Sequence, residues 1–199
     1  MKDIHISHFS SKNMSISKVN KEFYPKQYKE EDKSLGISKI ISEILTVICQ
    51  EGKSNIDSKL TLIKPFISKK IPSISIKDYI ERLLNYSNTF NEIAIIILIY
   101  LDNICGKYKI NLNYYNIHKF IFAAFIVANK FYEDHYDSIG LYAKLGGISK
   151  KEAIILEYEF MNLIDFNLFV NQELYNKYYN YLKNLENDDI YDEYDLEIN

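Results

Sequence analysis

The stretch TFNEIAIIILIYLDNICGKYKINLNYYNIHKFIFAAFIVANKFY, residues 89–132, decides the fold class. It contains two uninterrupted apolar runs of nine residues each, Ile93 to Leu101 and Phe120 to Ala128. Nine residues is about half of what a helix needs to cross a hydrocarbon core, so neither run reads as a membrane span. The helices expected around them, about 89–106 and from Asn113 or Asn116 to Tyr132, are apolar on nearly every face in their middles. Such helices have to be surrounded by other helices.

The surrounding helices are legible on both sides. Ile37, Ile40, Ile41, Ile44, Leu45 and Ile48 follow the i, i+3, i+4, i+7 spacing of an amphipathic helix, which Gly52 ends. Residues 53–74, with Pro65 and Pro72, read as a connector holding at most one short helical turn. Three capping signatures, in which a hydroxyl takes the N3 amide and an N3 carboxylate reaches back, start helices at Ser75 with Asp78, Thr89 with Glu92, and Ser149 with Glu152. The spacing predicts helices over about 75–87 and 149–165, a short one over Ile139 to Leu145 closed by Gly146-Gly147, and a last one over about 171–185. No run of alternating polarity competes with these, so the expected class is all-α. The expected organisation is a disordered polar segment over 1–33, one helical domain over 34–185, and a disordered acidic tail over 186–199.

Charge and composition exclude several function classes. Residues 1–100 carry 15 basic and 11 acidic side chains, and residues 101–199 carry 9 and 16, seven of the acids lying from Glu186 onward. A nucleic-acid binder shows a basic stripe, and here the lysines are scattered. Cys49 and Cys105 have neither disulfide-scaffold nor zinc spacing, which fits a reducing compartment. The N-terminus lacks a secretory apolar stretch, so a cytoplasmic or nuclear location is expected. Heavy use of Ile, Asn, Lys and Tyr makes single residues of those types uninformative, whereas the chain's one arginine, Arg82, stands out.

No catalytic constellation emerges. His118 and His135 lack HExxH spacing, and there is neither a phosphate-binding glycine loop nor a nucleophile elbow. Glu133, Asp134, His135 and Asp137 have metal-ligand chemistry but read more simply as a polar loop after a helix. Asp102 is more informative, because it closes the run IAIIILIYL where the helix is expected to be enclosed, and a buried carboxylate needs a donor. The planar fork of Arg82, on the preceding helix, is the best-shaped donor, so an Arg82 to Asp102 ion pair is expected; the alternative is that both side chains point to water.

PSISIKDYIERLLNYSN (72–88), IYLDNI (99–104), NIHKFIFAAFIVANKFYEDHY (116–136) and YAKLGGISKKEAIILEYEFMNLIDFNLFV (142–170), with the spacing between them, resemble the cyclin box. The closest likeness is to the single-box P- or U-type cyclins of the yeast phosphate pathway, over about residues 35–185. The resemblance implies a five-helix box with an additional N-terminal helix and a C-terminal helix. It also implies a non-enzymatic regulatory subunit that binds and activates a cyclin-dependent Ser/Thr kinase. The family's kinase-contacting lysine and glutamate fall on Lys130 and Glu157, and its internal arginine and aspartate fall on Arg82 and Asp102. The arginine that follows that aspartate in the family is Asn103 here, and the MRAIL docking patch of mitotic cyclins is not matched. No cofactor, metal, small-molecule substrate, nucleic acid or membrane is expected as a partner. The alternatives are a cyclin-fold module of transcription-factor type and a helical adaptor without a kinase.

Overall fold

The computed structural model describes residues 35–51, 60–87 and 90–196. Eight α-helices and no strand occur among them: α1 (Leu35–Glu51), α2 (Leu60–Ile63), α3 (Ile76–Leu84), α4 (Phe90–Tyr108), α5 (Ile117–Tyr132), α6 (Ile139–Gly146), α7 (Lys150–Leu163) and α8 (Gln172–Leu196). α5 is the hub, packed against α3, α4 and α7, while α1 packs against α3, α4 and α8. Every residue from Ile117 to Asn129 except Lys119 is buried, which is the enclosure that its all-round apolar surface requires.

Local chemistry sets the helix starts. Ser75 accepts from the Asp78 amide at 3.0 Å and donates to the Asp78 carboxylate at 2.7 Å, and Ser149 accepts from the Glu152 amide at 3.1 Å. The third expected cap, Thr89, lies outside the described residues. Neither asparagine caps α5 through its side chain. Asn116 instead turns its amide back, accepting from the Asn113 amide at 2.9 Å and donating to the Asn111 carbonyl at 3.0 Å, so it pins the turn before the helix.

The connector before α3 supplies core as well as chain. Phe66, in a 3₁₀ turn over Lys64–Phe66, is fully buried and stacks on Phe120 with ring centroids 4.2 Å apart. The two glycines at the end of α6 divide their labour: Gly147 takes φ 69° as the left-handed cap, whereas Gly146 is the last helical residue and lets α6 approach α5. A Cβ on Gly146 would stand 2.2 Å from the Phe122 ring.

The expected disordered segment over 1–33 lies outside the described residues. The tail expected to be disordered from residue 186 is helical as far as Leu196, because α8 meets neither glycine nor proline after Gln172. Glu186 belongs to the fold, pairing with Lys183 at 2.7 Å and reaching Gly36 in the first turn of α1, where a carboxylate meets the positive end of the helix dipole.

Candidate functional site: the Lys130–Glu157 surface

Lys130 stands in the last turn of α5 and Glu157 midway along α7, and the packing of these two helices brings them together. Lys130 Nζ donates to Glu157 Oε1 at 2.6 Å, with each side chain about a quarter exposed, at 27% and 25%. The pair therefore sits at the surface with one side open to a partner.

Large apolar side chains flank it. Phe131 follows Lys130 directly, Ile154 stands one turn before Glu157 on α7, and Tyr158 follows Glu157 directly; all three are exposed. The loop leaving α7 is clamped to the end of α5. Tyr100 donates to the Leu168 carbonyl at 2.6 Å, and Tyr132 donates to the same carbonyl at 3.0 Å while accepting from the Val170 amide at 2.8 Å. Burial pushes both phenols above the usual tyrosine range, so they remain neutral donors. The clamped loop exposes Phe166 and Phe169, and Asp165 and Phe166 hold φ 54° and 56°, a left-handed conformation that is costly for residues with a Cβ. Asp165 is tied back to Lys107 by an ion pair. A charged pair with exposed aromatic and branched side chains beside it on the same two helices has the anatomy of a protein-binding surface. Sequence periodicity could not find these exposed groups, because it marks a side chain as apolar without saying whether a neighbouring helix covers it.

The Arg82 to Asp102 ion pair is not formed. Asp102 is buried, and its Oδ2 accepts from the Tyr178 hydroxyl on α8, while Oδ1 has no hydrogen-bond partner. Desolvation raises its pKa to about 6, against the lowering effect of the Tyr178 hydrogen bond. Arg82 lies on the exposed side of α3, its guanidinium 5.2 Å from the centre of the Tyr79 ring and close to Gly147 at the α6 to α7 turn. The two side chains leave their helices toward different neighbours: Asp102 toward α8, Arg82 toward the end of α6. Arginine's planar fork is the best-shaped donor for a carboxylate, but a tyrosine hydroxyl, in a chain with 18 tyrosines, supplies the donor here.

This arrangement is a rigid helical box that offers a recognition surface. The chain belongs to the cyclin family, whose model, Cyclin, matches residues 9–168. Its box is the five helices α3 to α7, preceded by α1 and followed by α8. PHO85 cyclin-7 of Saccharomyces cerevisiae is 34% identical over 173 residues, 77% of this chain and 61% of that protein. PHO85 cyclin-like protein psl1 of Schizosaccharomyces pombe is 41% identical over 110 residues, 54% of this chain and 45% of that protein. Cyclin-U4-1 of Arabidopsis thaliana is 29% identical over 153 residues, 74% of this chain and 76% of that protein. The chain thus spans about half to three-fifths of the two yeast relatives, and the relatives belong to the P- and U-type branch that its motifs resemble.

Proposed function

We propose that this chain is the regulatory subunit of a cyclin-dependent Ser/Thr kinase and that it activates the kinase by holding its movable αC helix. The observation that carries the reading is the Lys130–Glu157 pair at 2.6 Å, with Phe131, Ile154 and Tyr158 exposed beside it in the chain, at the two positions where the family the chain resembles places its kinase contacts. The names of the yeast relatives, PHO85 cyclins, support the same class of partner.

The physical task is positional. A kinase is active only when the glutamate of αC pairs with its phosphate-binding lysine. A rigid surface that binds only the inward αC shifts the equilibrium by its differential affinity, and moving it from 1:99 to 99:1 takes about 5.5 kcal/mol. The enclosure of α5 keeps the Lys130 end of the site from yielding to the helix it binds.

The test is affinity purification of the tagged chain from its own cells, followed by a kinase assay on a Ser-Pro peptide. The expected result is a co-purifying Ser/Thr kinase of the cyclin-dependent class, stimulated at least about tenfold by the purified chain, a change worth about 1.4 kcal/mol. A chain that retains no kinase, or retains one without stimulating it, would overturn the reading.

A further inference from the structure

The turn between α6 and α7 carries four cations that make no ion pair among the described residues. Arg82 lies beside Gly147, Lys144 precedes that glycine by three residues, and Lys150 and Lys151 follow it on the first turn of α7; all four side chains are exposed. Among the described residues, none of the four makes a side-chain ion pair or hydrogen bond. Three acids of the neighbouring elements are engaged elsewhere: Asp78 accepts from Ser75 at 2.7 Å, Glu152 pairs with Lys119 at 2.8 Å, and Glu133 accepts from Ser87 at 3.0 Å; Glu81 lies 4.0 Å from Lys77, its Oε1 buried and without a hydrogen bond.

We propose that Arg82, Lys144, Lys150 and Lys151 form a docking surface for a phosphorylated serine or threonine segment of a partner protein. Arg82 is prepared for that ligand. Its guanidinium lies 5.2 Å from the centre of the Tyr79 ring, and Tyr79 is itself fixed by donating to the Gly146 carbonyl at 3.3 Å, so the planar fork has an aromatic support and makes no hydrogen bond among the described residues. A planar fork matches two phosphate oxygens at once. A single carboxylate would be satisfied by one such cation, whereas a phosphomonoester carries about −1.5 to −2 charge and three acceptor oxygens, enough to engage the fork and the lysines together. Four cations around one turn, on a chain of net charge −3, fall short of the stripe that a nucleic-acid backbone requires. The surface lies on α3, α6 and the start of α7, whose Glu152 pairs with Lys119 in the first turn of α5, whereas Lys130 stands in the last turn of α5, and the inference goes beyond the kinase reading because it concerns binding by the chain alone.

The experiment is fluorescence anisotropy of the full chain with a library of short peptides carrying a fixed central phosphoserine, against the same library with serine, at about 50 and 200 mM salt. The phosphorylated library should bind at least about tenfold more tightly, as expected for charge-assisted bidentate contacts, and should weaken as salt rises. Arg82→Met, and separately Lys144→Ala with Lys150→Ala and Lys151→Ala, should lower binding to the level of the serine library with the helical circular dichroism unchanged, while Lys109→Ala leaves it intact. Equal affinity for the two libraries would overturn the proposal. So would folded variants that bind as the parent does, or displacement of the phosphopeptide by a DNA duplex or phosphatidylserine vesicles that bind more tightly.

Discussion

Asp102 shows how far a single buried charge can be read. Its burial was legible, because it ends an apolar run in the middle of a helix that must be enclosed, but its partner was not. Tyrosine and arginine both donate, and only the direction in which α4 turns residue 102 selects the tyrosine of α8. The raised pKa fixes the sign of its pH dependence. Folded Asp102 holds its proton up to about pH 6 against an ordinary aspartate value of 3.8, so between these values the folded state binds more protons than the unfolded state and stability falls as pH rises. Compared with Asp102→Asn, the parent should gain stability as pH is lowered from 7 to about 4, by at most about 3 kcal/mol at 1.4 kcal/mol per pKa unit, as read by urea unfolding. A difference that stays constant with pH would show that Asp102 is not desolvated in solution. The same geometry predicts where thermodynamic coupling lies. Asp102→Leu and Tyr178→Phe should couple by about 1 kcal/mol or more in a double-mutant cycle, whereas Asp102→Leu and Arg82→Met should add within about 0.5 kcal/mol.

At the scale of elements, the signals that specify backbone conformation locally were legible and those that specify approach between helices were not. Ser75 and Ser149 cap as their spacing implies, because a cap needs only four consecutive residues. Gly146 and Gly147 looked alike in sequence, yet one answers to a positive φ and the other to the Phe122 ring of another helix. Gly146→Ala should therefore cost about 1 to 3 kcal/mol, as overpacking of a close-packed core does. Combining it with Phe122→Leu should recover part of that loss, since the leucine leaves room for the new methyl. Chemical denaturation of the two variants and their combination checks this, and additive losses would mean that Gly146 is required for a reason other than its contact with Phe122. The end of α8 was missed for a related reason. Acidic composition suggested a solvated tail, but nothing between Gln172 and Leu196 breaks a helix, and Glu186 has a place to dock at the start of α1.

For the whole molecule, Lys130 and Glu157 were reached through motif resemblance, and the exposure of the apolar groups beside them appeared only once the helices were assembled. Their proximity raises a question that the fold alone leaves open, whether the pair serves the fold or the partner. A quarter-exposed ion pair contributes about 1 kcal/mol at most, so its value to stability is small. The exchange Lys130→Glu with Glu157→Lys separates the two roles. It keeps opposite charges at the same two positions and so preserves the internal attraction, while inverting the charge that each position presents to a bound helix. Each single reversal places like charges in contact and should lower the melting temperature by a few degrees, at about 2 to 4 °C per kcal/mol for a chain of this size. The exchanged variant should melt within about 2 °C of the parent and yet retain at most about a tenth of the co-purifying kinase, because charges that faced complementary groups now face like ones. If the exchanged chain recovers kinase along with stability, Lys130 and Glu157 act only by tying α5 to α7, and the exposed Phe131, Ile154 and Tyr158 would be left as the anchors of the interface.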